Sequence, residues 1–204
     1  MKYSKLIVLL FIIFFCTFNG KLFAENNSMP GQVNVSGITV QPHKFAKLPD
    51  FLQARIRYFG HDRSSPEVSS WFQGEYRYWR NRIGPDYQHY HHLAAGFVKH
   101  MRAMTFIDDP QKRFLLRSAV REFDYMLRHT SADHFLHYFF HYKKGESLHA
   151  LGDLSGAADE FIRSINLRKD YVNSYIMLHQ VYLQLGMDDR AEQVLKQLET
   201  LSEK

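Results

Sequence analysis

The histidines are the residues of this sequence whose types and spacing could most directly do chemistry. His134, His137 and His141 follow one another at steps of three and four residues, which would put three imidazoles on one face of a helix. Two imidazoles at i and i+4 can chelate zinc, copper or nickel. His89 and His92 form a second pair, three residues apart. The spacing therefore predicts a candidate transition-metal site at His134, His137 and His141.

A structural role is the alternative for the same histidines. The sequence contains no HExxH or CxxC motif, and Asp133 is the one carboxylate at an obvious ligand spacing. The metal hypothesis predicts that zinc raises the melting temperature. It also predicts that His137→Ala removes that effect.

Motifs for catalysis are missing from the sequence. It has no glycine-rich phosphate loop and no nucleophile elbow. Glu160 could be paired with Glu146 or with Asp153 as acid and base, but acidic residues on solvated helix faces are the ordinary explanation. The sequence therefore predicts a protein that binds rather than an enzyme. It predicts no cofactor beyond the candidate metal.

The N-terminus has the pattern of a secretory signal peptide. Lys2 and Lys5 precede an apolar run at residues 6–15, and the small residue Ala24 precedes a polar stretch. This pattern predicts cleavage after Ala24 and a periplasmic or secreted protein of a bacterial-type envelope. An uncleaved anchor is the alternative, but the run extends at best to Phe18, short of the roughly 20 residues that a span needs.

Charge and cysteine content narrow the function classes further. The formal net charge is +5. Removing the three lysines of the signal leaves 23 cations against 21 anions, a net charge of +2. A nucleic-acid interface needs basic residues clustered on one face, and this sequence does not predict one. Cys16, the only cysteine, would leave with the signal, so the mature chain could form no disulfide.

Residues 25–48 are polar and contain two short alternating runs, at residues 33–35 and 38–40, around Ser36-Gly37. Alternation with a glycine turn would suit a hairpin. Because an isolated two-stranded hairpin is marginal in water, a flexible or weakly structured leader is the favoured prediction.

The remainder of the chain has helical periodicity throughout. Ser65-Pro66 and Asp109-Pro110 have the form of a cap followed by proline, which begins a helix, and Gly84-Pro85 ends one. The pattern predicts helices at about residues 49–60, 65–83, 86–104, 110–128, 132–151, 155–167, 171–185 and 188–201.

Small and apolar residues recur at a step of 34 in the C-terminal part. The pairs are Gly145 and His179, Leu148 and Tyr182, Gly152 and Gly186, Ala157 and Ala191, and Phe161 and Leu195. A helix–turn–helix unit of this period resembles the tetratricopeptide repeat family. The predicted divisions are a signal peptide (1–24), a leader (25–48), an aromatic and histidine-rich helical region (49–137) and two repeat units (138–204).

The resemblance implies an all-α fold, a short solenoid of helix–turn–helix repeats with the helices of residues 49–83 capping its N-terminal end. Residues 86–128 are predicted to be a degenerate repeat, because Ala119 lies 38 residues before Ala157 instead of 34. His141 falls at a repeat position that is usually aromatic, where an imidazole can act as a half-buried ring.

The resemblance also implies which residues line a concave surface that takes a peptide or a partner helix. They are Phe139, Tyr142, Glu146 and His149 in the first unit, and Asn173, Ile176, Gln180 and Leu183 in the second. No basic cluster occurs among them, which disfavours recognition of a carboxylate terminus. The alternative is that Phe139, Tyr142 and Ile176 are ordinary core between repeats.

Two further states of assembly remain open. The chain could be a structural part of a larger assembly in which Trp71, Tyr78 and Trp79 contact a neighbour. It could also form a homo-oligomer.

Overall fold

The structure is a computed structural model that describes residues 33–35, 38–40, 45–60, 66–107 and 110–202. The predicted signal peptide and much of the predicted leader lie outside the described residues. Within the described part, no helix is both long enough and apolar enough to cross a membrane.

Eight α-helices follow one another along the described part of the chain, after two short strands. The strands are β1 (Val33–Val35) and β2 (Ile38–Val40), and the helices are α1 (Asp50–Gly60), α2 (Pro66–Ile83), α3 (Tyr90–Ala103), α4 (Pro110–His129), α5 (His137–Leu151), α6 (Leu154–Leu167), α7 (Val172–Gln184) and α8 (Asp188–Ser202). A 3₁₀ helix, Pro85–His89, lies between α2 and α3.

Local signals explain most of these boundaries. Gly152 and Gly186 have φ values of 83° and 68°, in the left-handed region that only glycine adopts readily. They occupy the α5–α6 and α7–α8 turns, one repeat step apart. Asp153 then caps α6, since its side chain accepts a hydrogen bond from the Gly156 N–H.

Two predicted helix starts are wrong. The helix predicted from residue 86 begins as the 3₁₀ helix, and the helix predicted from residue 132 begins at His137. Residues before His137 form turns instead: the His134 N–H donates to the Ser131 carbonyl, and the His134 imidazole accepts from the Leu136 N–H. The side chain of His134 thus competes with the helical hydrogen bonds of its own segment.

The strands pair as an antiparallel hairpin with Val33 opposite Val40. The sequence favoured a flexible or weakly structured leader. At residues 33–35 and 38–40 the structure agrees instead with the hairpin alternative. The hairpin is not isolated, because β1 contacts α1 and α3. Phe45 and Leu48, also assigned to the leader, are buried in the core.

The helices pack in sequence as an all-α helical repeat array, which confirms the predicted fold class. Pairs form between α3 and α4, α5 and α6, and α7 and α8. Each second helix also contacts the first helix of the next pair, and the first helices α3, α5 and α7 contact one another in succession. We call the side formed by these three helices the first-helix face.

Two helix pairs share the same close contact between a glycine and a phenylalanine. A Cβ placed on Gly145 would lie 2.7 Å from Cε1 of Phe161, and a Cβ on Gly96 would lie 2.6 Å from Cε1 of Phe123. Both phenylalanines are fully buried. The pair α3–α4 is therefore built like α5–α6, although its sequence is out of step with the 34-residue period.

Candidate functional site

Lys143 lies at the centre of the first-helix face, on α5. Its Nζ is 4.9 Å from the ring centre of Phe97 and 5.8 Å from that of Phe139. It also forms an ion pair of 2.7 Å with Glu146, one helical turn further on. An ammonium group over aromatic faces is attracted by their quadrupoles. The charge of Lys143 is thus held between two half-buried rings and a carboxylate.

The carboxylate of Glu146 is fixed by two donors. Lys143 contacts Oε2, and the hydroxyl of Tyr142 donates to Oε1 at 3.0 Å. Burial raises the pKa of Tyr142 well above its ordinary value, and the nearby Glu146 raises it further. The Tyr142 hydroxyl therefore remains a donor at every physiological pH, and it holds Glu146 in one orientation.

Tyr171 connects this arrangement to α7. Its ring meets the Tyr142 ring edge-on, with 5.2 Å between centroids, and meets the Tyr138 ring in the same way at 4.9 Å. Burial raises the pKa of Tyr171 to about 12. The Tyr138 hydroxyl accepts a hydrogen bond of 2.7 Å from Arg168. Aromatic residues thus continue across the first-helix face from α3 to the start of α7.

One predicted partner-binding residue of α5, His149, contacts α7, but its partner there is Gln184, which was not among the predicted residues; the two side chains lie 2.9 Å apart. The predicted α7 residues differ in exposure: Asn173, Ile176 and Gln180 are half-buried, and Leu183 is half-exposed.

Tyr142 belongs to the core. Its side chain is 8% exposed and packs in the cluster formed by α5, α6, α7 and α8. Phe139 is partly buried against the same cluster. Tyr142 is therefore a core residue, as the alternative prediction proposed, and its ring offers a partner little accessible area. Phe139 is half-buried, and the remaining part of its ring is available for a partner to cover.

Sequence reasoning missed Lys143 and Phe97. Lys143 lies one turn after Phe139 on α5, so its place on this face could have been found from helical spacing. Phe97 lies on α3, and its approach to Phe139 at 5.7 Å depends on how two helices pack. No local pattern contains that information.

Two histidines of the predicted metal site, His137 and His141, lie four residues apart on α5, whereas His134 precedes the helix with its ring 6.0 Å from that of His137. His134 precedes α5 and is 8% exposed, with its Nε2 3.2 Å from the Tyr90 hydroxyl. His137 Nε2 lies 2.8 Å from the Thr130 hydroxyl, and His141 Nδ1 lies 2.6 Å from Oε2 of Glu160. Each imidazole therefore bonds a different helix or turn. In the described ranges, no group of three or more potential ligands is arranged for a metal.

His141 instead bonds to a set of charged side chains on the second-helix side of the array. Glu160 on α6 accepts from His141, and Lys144 on α5 lies 2.9 Å from Glu160 and 2.7 Å from Asp124 on α4. We call Asp124, Lys144 and Glu160 the ion bridge. Burial alone would raise the pKa of Glu160, but hydrogen bonds from His141 and Lys144 lower it.

The preceding helix pair repeats part of this pattern. Glu122 on α4 pairs with His92 at 2.6 Å and with Lys99, both on α3. His92 stands four residues before Gly96, as His141 stands four residues before Gly145. The His–Glu pairs are thus equivalent contacts that join the two helices of each pair. In each pair, the Nδ1 atom of the histidine is bonded to a glutamate carboxylate.

Comparison of the chain with protein-family models, curated proteins and solved structures finds no match.

Proposed function

We propose that this protein is an exported, tetratricopeptide-type scaffold or adaptor of a bacterial-type envelope. It binds an extended peptide or a partner helix on the first-helix face. The observation that carries the proposal is the half-buried aromatic pair Phe97 and Phe139, held beside the paired charges of Lys143 and Glu146.

Half-buried rings supply area that a partner can cover, and a few such residues usually dominate binding. The neighbouring polar side chains can satisfy a peptide backbone. The amides of Asn173 and Gln180 each carry both donors and an acceptor, and both are half-buried on α7. The surface therefore combines apolar contact with hydrogen bonding, as peptide grooves between helices do.

The charges favour one type of ligand over another. Lys143 is already neutralised by Glu146 at 2.7 Å, so a ligand carboxylate would have to compete with a fixed internal one. An internal segment with an apolar side chain against Phe97 and Phe139 fits this face better than a free carboxylate terminus does.

The test is affinity capture from a cell-envelope fraction with three forms of the full chain. The first is the unaltered protein, and the second carries Asn173→Lys and Gln180→Lys, which place bulk and charge on the first-helix face without altering the core. The control carries Ser155→Lys and Asp159→Lys, at exposed positions of α6. A partner captured by the first and third forms but lost from the second supports the proposal. Equal capture by all three forms, or capture of nothing, contradicts it.

A further inference from the structure

Four exposed arginines form one row along α4: Arg113, Arg117, Arg121 and Arg128. At about 100° of rotation per residue they lie within roughly 80° of the helix circumference, and the row extends for about 22 Å. Buried residues on the other side of α4 pack it against α3 and α5. Because α4 is the second helix of its pair, the row belongs to the second-helix side of the array and not to the first-helix face.

The charges of this row are available to a partner. In the part of the chain that the structure describes, no ion pair includes any arginine of the row. The two carboxylates of α4 are engaged elsewhere, since Glu122 pairs with two side chains of α3 and Asp124 lies 2.7 Å from Lys144 of α5. Like charges at i and i+4, as along this row, destabilise a helix. The arginines therefore do not stabilise α4 through one another.

Exposed apolar side chains adjoin the N-terminal end of the row. Phe114 follows Arg113 and is 62% exposed, on the same side of α4 as Arg121 by helical spacing. Ile107, in the turn that leads to α4, is 96% exposed, and Met104, just after α3, is 55% exposed. Ile107 lies three residues before the start of α4, so it is within about 11 Å of that helix. These side chains, unlike those of the core, offer apolar area to a partner.

An anionic lipid surface has partners for both kinds of side chain. Phosphate headgroups attract arginine, and exposed apolar side chains enter the boundary between headgroups and acyl chains. The local charge agrees with this choice: residues 99–121 contain six lysines and arginines against two aspartates, Asp108 and Asp109, a net charge of +4. A nucleic acid would pair with the arginines but would leave Ile107 and Phe114 in water. A flat bilayer can contact the row and Phe114 together, because they lie on the outer surface of a single helix.

We propose that α4 and the turn before it bind the surface of an anionic phospholipid bilayer. The helix lies along the headgroups with its arginine row facing their phosphates, while Phe114 and Ile107 reach the acyl boundary. The contact is peripheral, since side chains enter the interface and the backbone stays outside it. It uses a different surface from the first-helix face and does not depend on the function proposed for that face.

Sedimentation with vesicles measures the partition coefficient of the full chain. One set of vesicles is phosphatidylcholine with about one third phosphatidylglycerol, an anionic lipid, and the other is phosphatidylcholine alone. We expect the anionic vesicles to bind the protein at least about tenfold more strongly, because a few cations at the surface are enough for that difference. The preference should weaken as salt is raised. Equal binding to both kinds of vesicle, or binding to neither, overturns the proposal.

Substitution within the row locates the charge that binds. Arg117→Gln with Arg121→Gln should weaken binding to the anionic vesicles at least about tenfold, since each cation at such a surface strengthens binding roughly fivefold. Glutamine is close to arginine in helix propensity, so α4 should be retained, which circular dichroism checks. The control, Arg80→Gln with Arg82→Gln, removes two exposed arginines of α2 and should leave binding almost unchanged. If the control weakens binding as much, net charge explains the attraction and the site is wrong.

Phe114→Trp tests the apolar contact independently of the apolar run at residues 6–15. The vesicles for this test carry bromine on their acyl chains, which quenches tryptophan fluorescence on contact. Phe114→Trp should show more quenching than the unaltered chain, whereas Phe135→Trp, which replaces a phenylalanine that is 59% exposed before α5, should not. Equal quenching of the two variants, or no added quenching at position 114, overturns the proposal. Loss of vesicle binding in the arginine variant without quenching at position 114 would assign the row to a nucleic acid or another soluble polyanion instead. If the arginine variant does not fold, the quenching measurement alone decides.

Discussion

Gly145→Ala tests the contact that defines the repeated helix pair. Gly145 lies inside α5, and a Cβ there would meet Phe161 at 2.7, 2.9 and 3.0 Å. The Phe161 ring is fully buried, and it also packs against Tyr142 at 5.9 Å between centroids. The ring therefore cannot turn aside without disturbing its neighbours.

Two opposing effects determine how much Gly145→Ala changes the free energy of unfolding. Alanine has a helix propensity about 1 kcal/mol better than glycine, while overpacking a core typically costs about 1–3 kcal/mol. Gly74→Ala on α2 isolates the first effect, because in the described part of the chain a Cβ there would meet nothing within 4 Å. We therefore expect Gly145→Ala to have a free energy of unfolding about 1–3 kcal/mol below that of Gly74→Ala.

Urea unfolding followed by circular dichroism at 222 nm, a wavelength that reports helix content, measures both variants. Gly145→Ala should lower the midpoint relative to the unaltered protein, and Gly74→Ala should raise it. If the two substitutions have equal effects, the packing argument is wrong, because propensity alone would then account for both.

The last helix pair suggests a rescue. There, the larger His179 takes the place of Gly145, and Leu195 takes the place of Phe161; the His179 ring donates from Nδ1 to the Ala191 carbonyl at 2.9 Å. We expect Phe161→Leu to offset part of the cost of Gly145→Ala. The free energy of unfolding of the double variant should be at least about 1 kcal/mol higher than the value expected from adding the two single effects, a coupling typical of residues in contact. Simple additivity would contradict a direct clash.

The remaining predictions concern charge. Burial is the chief cause that lowers the pKa values of His100 and His134 in the folded protein. The folded state therefore favours the neutral form of both rings, and folding is more stable at a pH where they are neutral. This stability is complete above the unfolded pKa of about 6.5 and is lost as pH falls through the folded values, with a slope of at most about 1.4 kcal/mol per pH unit for each ring. Urea unfolding should give a lower free energy of unfolding at pH 5 than at pH 7, and His100→Gln should make this difference smaller. If His100→Gln leaves the difference unchanged, His100 does not contribute to the pH dependence. Glu160→Gln leaves Lys144 and His141 facing a neutral amide, and should lower the free energy of unfolding by about 1–3 kcal/mol at pH 7. Asp159→Asn, at an exposed position one residue earlier, should have almost no effect in the same measurement.

The resemblance to tetratricopeptide repeats predicted that Phe139, Tyr142 and Glu146 lie on one side of α5, and the structure groups them around Lys143. The resemblance could not separate the buried Tyr142 from the half-buried Phe139, because that difference depends on the neighbouring helix α7. The binding role of this face stays a prediction, as does the family resemblance.

The histidines illustrate why the chemistry of a side chain can escape sequence reasoning. Their spacing is compatible with a metal site, but the partners that occupy them are distant in sequence: Tyr90 is 44 residues from His134, and Glu160 is 19 residues from His141. Each contact uses one of the two ring nitrogens of its histidine. Packing of α3 and α6 against α5 decides that partner.

The sequence by itself determined the succession of helices, because their signals are local: a proline at the start of α2 and α4, a left-handed glycine after α5, and apolar residues at helical spacing. It also determined the 34-residue step, which is a property of the chain alone. The sequence also predicted residues 86–128 as a degenerate repeat, but only the tertiary structure showed the contact that makes α3–α4 equivalent to α5–α6, that of Gly96 with Phe123. The same is true of charge. The ion bridge forms because α4, α5 and α6 converge at Lys144, and the sequence of no single helix reveals it.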